Sequence, residues 1–141
     1  GSTLPAHLET VNVPLFENNS LKQGVAEDIT ERLISSIERD KLLSIVANNG
    51  DATIYGDVLE YEHKPADYVP EGKSGVDVKY YSVKIKVKVD FYDNEKDNEI
   101  YAGVISEKAY YNFDKKSEES GRAEAVDKIV ESIMQNSVQG W

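Results

Sequence analysis

The chain has 141 residues, 40% of them hydrophobic and 30% charged, with a formal net charge of -10. That is the length of one domain, with apolar residues enough for a single core. The acidic balance excludes general nucleic-acid binding, which needs a basic field. No apolar run approaches the roughly 20 residues of a bilayer-spanning helix, and the lack of cysteine excludes disulfides, thiol catalysis and thiolate metal sites.

Gly1-Ser2 reads as an expression scar, so the domain is taken as residues 3–141. Residues 8–16 read as a first strand, with Val11, Val13 and Leu15 on one face and Pro14 marking an edge or the strand's end. Ser20 and Gln23 have the spacing of a capping box. It predicts a helix over about 21–39, whose apolar stripe is Leu21, Val25, Ile29, Leu33 and Ile37, flanked by Ala26 and Ile34. Glu27, Asp28, Glu31, Arg32, Glu38 and Arg39 occupy its other side.

Residues 41–46 read either as a short strand or as the end of that helix. A strand comes next over 52–62, where Gly56 marks a bulge or a close backbone approach. The proline- and glycine-bearing stretch 63–77 reads as a long loop. Strands over 78–92 and 99–113 are joined by a polar hairpin turn at 93–98. The last helix is expected over 118–138, with Ser117 as N-cap, Gly140 as its stop, and Ala123, Val126, Ile129, Val130, Ile133 and Met134 as its apolar stripe. The order predicts an α+β fold: two helices packed on one face of a four-stranded, mostly antiparallel (mixed) sheet.

One segment stands out against the acidic background. In "YYSVKIKVKVDFYD", Lys84, Lys86 and Lys88 alternate with Val83, Ile85, Val87 and Val89. Alternate side chains of a strand point to opposite faces. The apolar set, with Phe91, therefore faces the helices, and the lysines face away with Ser82. Burying each apolar residue contributes roughly 1.5–3 kcal/mol, whereas neighbouring exposed lysines repel by only about 0.6 kcal/mol. The fold therefore carries the row without any ligand. Two readings stand side by side: a solvated face that discourages sheet aggregation, and a contact for an anionic partner. Symmetric closure of the hairpin would set Lys84 opposite Glu107.

The other candidates are weaker. His7 and His63 stand in no metal-binding motif and read as solvated loop histidines. Asp90, Asp93, Glu95 and Asp97 cluster at the hairpin without the glycine and closing glutamate of a calcium loop. No nucleophile–base motif or phosphate loop occurs. Tyr55, Tyr61, Tyr80, Tyr81, Tyr101, Tyr110 and Tyr111 fall in predicted strands, where they serve either packing or an amphipathic contact surface.

Four stretches together resemble a known family. "TVNVPLFENNSLKQGVAEDITERLISSI" is similar to the opening strand, turn and first helix of the lipopolysaccharide-assembly lipoproteins called LptE. "GDATIYGDVLEYE" resembles that family's second strand, "YYSVKIKVKVDFYD" its long third strand, and "EAVDKIVESIMQNSVQGW" its closing helix. Order and spacing carry the resemblance across nearly the whole chain. It implies a periplasm-facing lipoprotein of the outer membrane, held by a lipidated cysteine that truncation before Thr3 would have removed. It implies the β-barrel LptD as partner, with the protein as its plug, and contact with lipopolysaccharide. It implies no enzymatic activity and no cofactor. Lys84, Lys86 and Lys88 lie on the matching strand, and contact with lipid A phosphates is carried over to them as a hypothesis. Two alternatives are kept. A periplasmic accessory domain of the TolB amino-terminal type fits the first half but lacks the long hairpin. An unrecognised hydrolase would need a deep cleft with paired titratable groups.

Overall fold

The computed structural model describes residues 4–66 and 79–139. Its elements, in chain order, are β1 (Thr10–Asn12), β2 (Glu17–Asn18), α1 (Val25–Asp40), β3 (Ser44–Ile45), β4 (Ala52–Pro65), β5 (Tyr80–Asp93), β6 (Asn98–Asn112) and α2 (Glu118–Asn136). The fold is α+β, with a mixed sheet in the order β3-β1-β4-β5-β6 and β2 also paired with β4. The short N-terminal strands run parallel to their neighbours. β4, β5 and β6 form an antiparallel meander. The long hairpin therefore shares its sheet with the first strand segment, the arrangement that separates the LptE-like reading from the TolB-like one. No helix among the described residues is long and apolar enough to cross a membrane.

Six strands replace the expected four for local reasons. Pro14 divides the first segment, so that β1 and β2 pair separately with β4. Within 41–46, Ser44 and Ile45 pair with β1 as a short parallel strand. Val11 and Val13 are buried as read, but Leu15 is exposed and Phe16 takes its place in the core. The Phe16 ring lies across Gly56, where a Cβ would sit 2.2 Å from it. Gly56 thus marks a close approach. The bulge of β4 falls beyond it: Val58 pairs with Val87 and Glu60 with Lys86, leaving Leu59 as the extra residue.

α1 begins at Val25, four residues after the expected start. Ser20 Oγ donates to Asn18 Oδ1 at 2.6 Å and accepts the Lys22 N–H at 3.2 Å, which closes a tight turn instead of a capping box. Gly24, at φ 84, then redirects the chain into the helix without a side-chain cap. Leu21 is left fully exposed, while Val25, Ala26, Ile29, Leu33 and Ile37 are buried. On α2, Ala123 is exposed and Ala125 joins the buried stripe with Val126, Ile129, Val130, Ile133 and Met134. Ser117 is the N-cap residue but makes no side-chain cap bond. Gly140 and most of the 63–77 loop lie outside the described residues; 63–65 continue β4.

The core lies between this sheet and the two helices. Val83, Ile85, Val87, Val89 and Phe91 are all fully buried on the helix side of β5, as their alternation requires.

The hairpin turn is held by a buried acid. Asp93 accepts the N–H groups of Glu95 and Lys96 at 2.9 and 3.0 Å, and its Oδ2 lies 2.5 Å from His7 Nε2. His7 is therefore partnered rather than solvated, and Asp93 is buried. Burial pushes the Asp93 carboxyl up, but the Lys96 N–H, His7 and the Glu95 N–H outweigh it and hold it below the usual range. Its folded pKa is depressed, so its contribution to stability is complete above the unfolded value of about 4 and is lost as the pH falls through that range. A melting series from pH 6 down to about pH 2.5 should show this loss, and Asp93→Asn should flatten it. An unchanged slope in the variant would show that other carboxylates govern the acid limb.

Candidate functional site

The helix-free face of the sheet is the surface the sequence singles out, and it carries two facing charged columns. Lys84, Lys86 and Lys88 project from the central strand β5, each on the parity opposite its buried apolar neighbours. Lys84 and Lys86 are half-buried and Lys88 is exposed. On β4 their Cα partners are Glu62, Glu60 and Asp57. The lysine row is therefore matched by a carboxylate row one strand away. The Lys84 Nζ lies 3.4 Å from Glu60 Oε1, and Lys64 pairs with Glu62 at 3.5 Å. Lys86 and Lys88 make no ion pair within 4.0 Å among the described residues.

On β6 the partners of Lys84, Lys86 and Lys88 are Lys108, Ser106 and Val104. Glu107, expected opposite Lys84, instead faces Ile85 and accepts a hydrogen bond from Ser132 of α2 at 2.5 Å. The hairpin starts in the symmetric register, with Asp93 opposite Asn98 and Tyr92 opposite Glu99. Phe91 then pairs with Tyr101, so Ile100 is an extra residue that shifts everything beyond it by one. A one-residue shift reverses the face of every side chain. It turns Glu107 toward α2 and brings Lys108 beside the row.

Where the row meets β2, a shallow cleft of about 380 Å³ is lined by Pro14, Leu15, Tyr55, Asp57, Lys88 and Asp90. Leu15 and Tyr55 are 60% and 51% exposed, which makes this end of the face apolar as well as charged. Asp57 accepts a bond from Asn19 Nδ2 at 2.7 Å, and Asp90 Oδ1 is buried without a hydrogen-bond partner among the described residues. The cleft sets the exposed Lys88 beside Leu15 and Tyr55, with the carboxylates of Glu17, Asp57 and Asp90 also on its lining. Sequence reasoning misses it because period-two alternation places Leu15 in the core.

A second cluster lies at the other end of β4. Tyr61 donates to Glu118 at 2.8 Å, Lys22 pairs with the same carboxylate at 2.9 Å, and His63 bonds Tyr111 at 2.5 Å. His63 Nδ1 is 3.4 Å from Glu118, and its ring packs on Tyr81 and Tyr111. His63 is thus a partnered strand residue, not a loop residue. Lys22, assisted by Tyr61 against the opposing effect of burial, holds the Glu118 carboxyl below its usual range. Burial and the bond to Glu118 push the Tyr61 phenol up. The cluster ties β4, β6, α2 and the turn before α1 together. Because the folded carboxyl is held below its usual range, its contribution is full at pH 7 and is lost as the pH falls through the folded value, so the melting loss of Glu118→Gln should be larger at pH 7 than at about pH 2. Equal losses at both pH values would contradict a charge-based latch.

The outer groove between α1 and α2, about 660 Å³, is crossed by Arg32–Asp127 and Arg122–Asp28 pairs at 2.5 and 2.8 Å. Its arginines are thus already engaged by carboxylates. No group of three or more histidine, aspartate or glutamate side chains is placed to hold a metal among the described residues.

Known structures of the same fold include the PelC dodecamer from Paraburkholderia phytofirmans, with TM-score 0.63, 11% identity, and coverage of 97% of this chain and 93% of that one. A Chlamydia trachomatis protein, CT253, has TM-score 0.63 and 10% identity over 90% and 94% of the two chains. A minor lipoprotein from Acinetobacter baumannii has TM-score 0.56 and 14% identity over 94% of each. At these identities the likeness is one of fold alone. No curated protein sequence matches the chain significantly. The family model for LptE, lipopolysaccharide-assembly, matches residues 8–138, in agreement with the strand–helix–hairpin–helix order and the long lysine-bearing strand. The chain belongs to the LptE lipopolysaccharide-assembly family.

Proposed function

We propose that this protein is a non-enzymatic factor of outer-membrane biogenesis, which plugs an LptD-type β-barrel and assists lipopolysaccharide on its way to the membrane surface. The observation that carries the reading is the family match across residues 8–138. In this reading the native protein is lipid-anchored on the periplasmic side of the outer membrane, and no catalytic step is required of it. The helix-free face supports it physically. Lys86 and Lys88 supply point charges for phosphate, and Leu15 and Tyr55 supply apolar surface for acyl chain beside Lys88.

Changing Lys84, Lys86 and Lys88 together to serine tests the ligand contact. The triple variant should bind lipopolysaccharide about tenfold more weakly with nearly unchanged melting, because a solvent-accessible, half-exposed pair such as Lys84–Glu60 contributes only about 0–1 kcal/mol. Lys84→Ser alone should matter least, since Glu60 already engages that amine. Unaltered affinity in the triple variant would leave the row as a solvated face. For the barrel, co-expression of the anchored protein with an LptD-type barrel should yield a complex that survives purification. Recovery of the two proteins separately would refute the plug.

A further inference from the structure

The two edges of the sheet are built differently. One is made of short pieces: β3 has two residues, β1 has three, and Pro14 separates β1 from β2. The other is the single 15-residue strand β6. Edge strands expose unpaired N–H and C=O groups, and proteins shield them with shortness, charge, proline or bulges.

The bonding parity of β6 is set by two hydrogen bonds. Phe113 N–H donates to Lys79 O at 2.9 Å on the β6 side of β5, and Ala66 N–H donates to Tyr80 O at 2.8 Å on the β4 side. In an antiparallel ladder the bonded pairs alternate. Beyond the bulge at Ile100, the odd-numbered residues of β6 therefore bond β5, and the even-numbered ones direct their backbone groups to the outer edge. Two outward carbonyls are occupied. Lys108 O accepts from Lys128 Nζ at 3.0 Å, and Asn112 O accepts the N–H groups of Lys115 and Lys116. Ala102, Val104 and Ser106 have no such partner among the described residues. Their side chains are exposed, and the run "IYAGVIS" from Ile100 to Ser106 contains neither charge nor proline. The shielding devices stand only at its ends.

We propose that the outer edge of β6 between Tyr101 and Glu107 is a strand-addition site for an extended segment of another protein, uncharged along its length and flanked by cations. Main-chain bonds to Ala102, Val104 and Ser106 would supply the affinity. The charge distribution selects the occupant. A second copy brings another formal -10, whereas a cation-flanked segment is attracted by that field and by Glu99 at the hairpin end of the open stretch; at the other end Glu107 is bonded to Ser132, with Lys108 and the Lys128 ammonium beside it. Ala102, Val104 and Ser106 turn their side chains to the lysine face, but the backbone groups invoked here lie in the plane of the sheet at its rim, so strand addition there does not depend on lipopolysaccharide contact.

The test uses the isotope-labelled protein and a synthetic capped octapeptide, Lys-Thr-Val-Thr-Val-Thr-Val-Lys. The amides of Ala102, Val104 and Ser106 should exchange rapidly in the free protein and become protected on titration. A peptide N-methylated at alternate residues should give no protection, and glutamate in place of the terminal lysines should weaken binding. Val104→Pro removes one outward N–H and no bond to β5, so it should weaken binding about tenfold or more. Val104→Lys, which keeps the N–H and adds a charge to the exposed side, should also weaken it and covers the case in which the proline variant fails to fold. Equal protection by the N-methylated peptide, or shifts centred elsewhere, would overturn the proposal. Amides already protected without peptide, in a protein sedimenting at twice its chain mass, would assign the edge to a second copy and overturn it equally.

Discussion

Phe91→Ala should destabilise the protein by about 4 kcal/mol, since removing a buried phenylalanine costs about 3–5 kcal/mol through lost transfer energy and the cavity left behind. Phe91 is fully buried on the central strand β5, between Ile54 of β4 and Tyr101 of β6. It sits next to the register shift at Ile100, so the hole would open where the ladder is already irregular. Urea unfolding should show a lower midpoint with an unchanged slope. A loss below about 1 kcal/mol would mean that this part of the core collapses to fill the space.

Gly56→Ala should destabilise by about 3 kcal/mol, although the same change in an unstrained strand would be neutral or favourable. The sign is decided by the Phe16 ring, 2.2 Å from the position a Cβ would take. Phe16 is almost fully buried, and its N–H donates to Thr30 Oγ1 of α1 at 3.0 Å, so it cannot yield without disturbing the helix contact. A double-mutant cycle isolates the cause. In a Phe16→Ala background the Gly56→Ala cost should nearly vanish. An equal cost in both backgrounds would place the strain in the backbone instead.

Much of this fold was legible because burial on β5 alternates from Val83 to Phe91; Ser82, read with the exposed lysines, is buried and is the exception. Five apolar residues at odd positions dictate which face meets the helices, and no tertiary event could reverse all five without exposing them. The stripe of α1 was legible from Val25 onward because its apolar residues recur at helical spacing. What the sequence hid were single-residue events. Ile100 and Leu59 are extra residues whose presence is set by pairing across strands, so the Glu107 side of the hairpin was misread while the Asp93 end was correct. Ser20 and Gln23 have capping-box spacing, but Asn18 captures the serine hydroxyl. Of the candidate site, the direction of the lysines was readable from parity. The facing carboxylates were not, because the Leu59 bulge offsets Asp57 from the spacing of Glu60 and Glu62.

The measurement that bears most directly on the helix-free face as a lipopolysaccharide contact is a titration of the isotope-labelled protein with lipopolysaccharide, read residue by residue from amide shifts. The largest changes should fall at Tyr55, Lys86, Lys88 and Val104, all on that face. Changes centred on Arg32 and Arg122 in the groove between the helices, or none at saturating lipopolysaccharide, would contradict it.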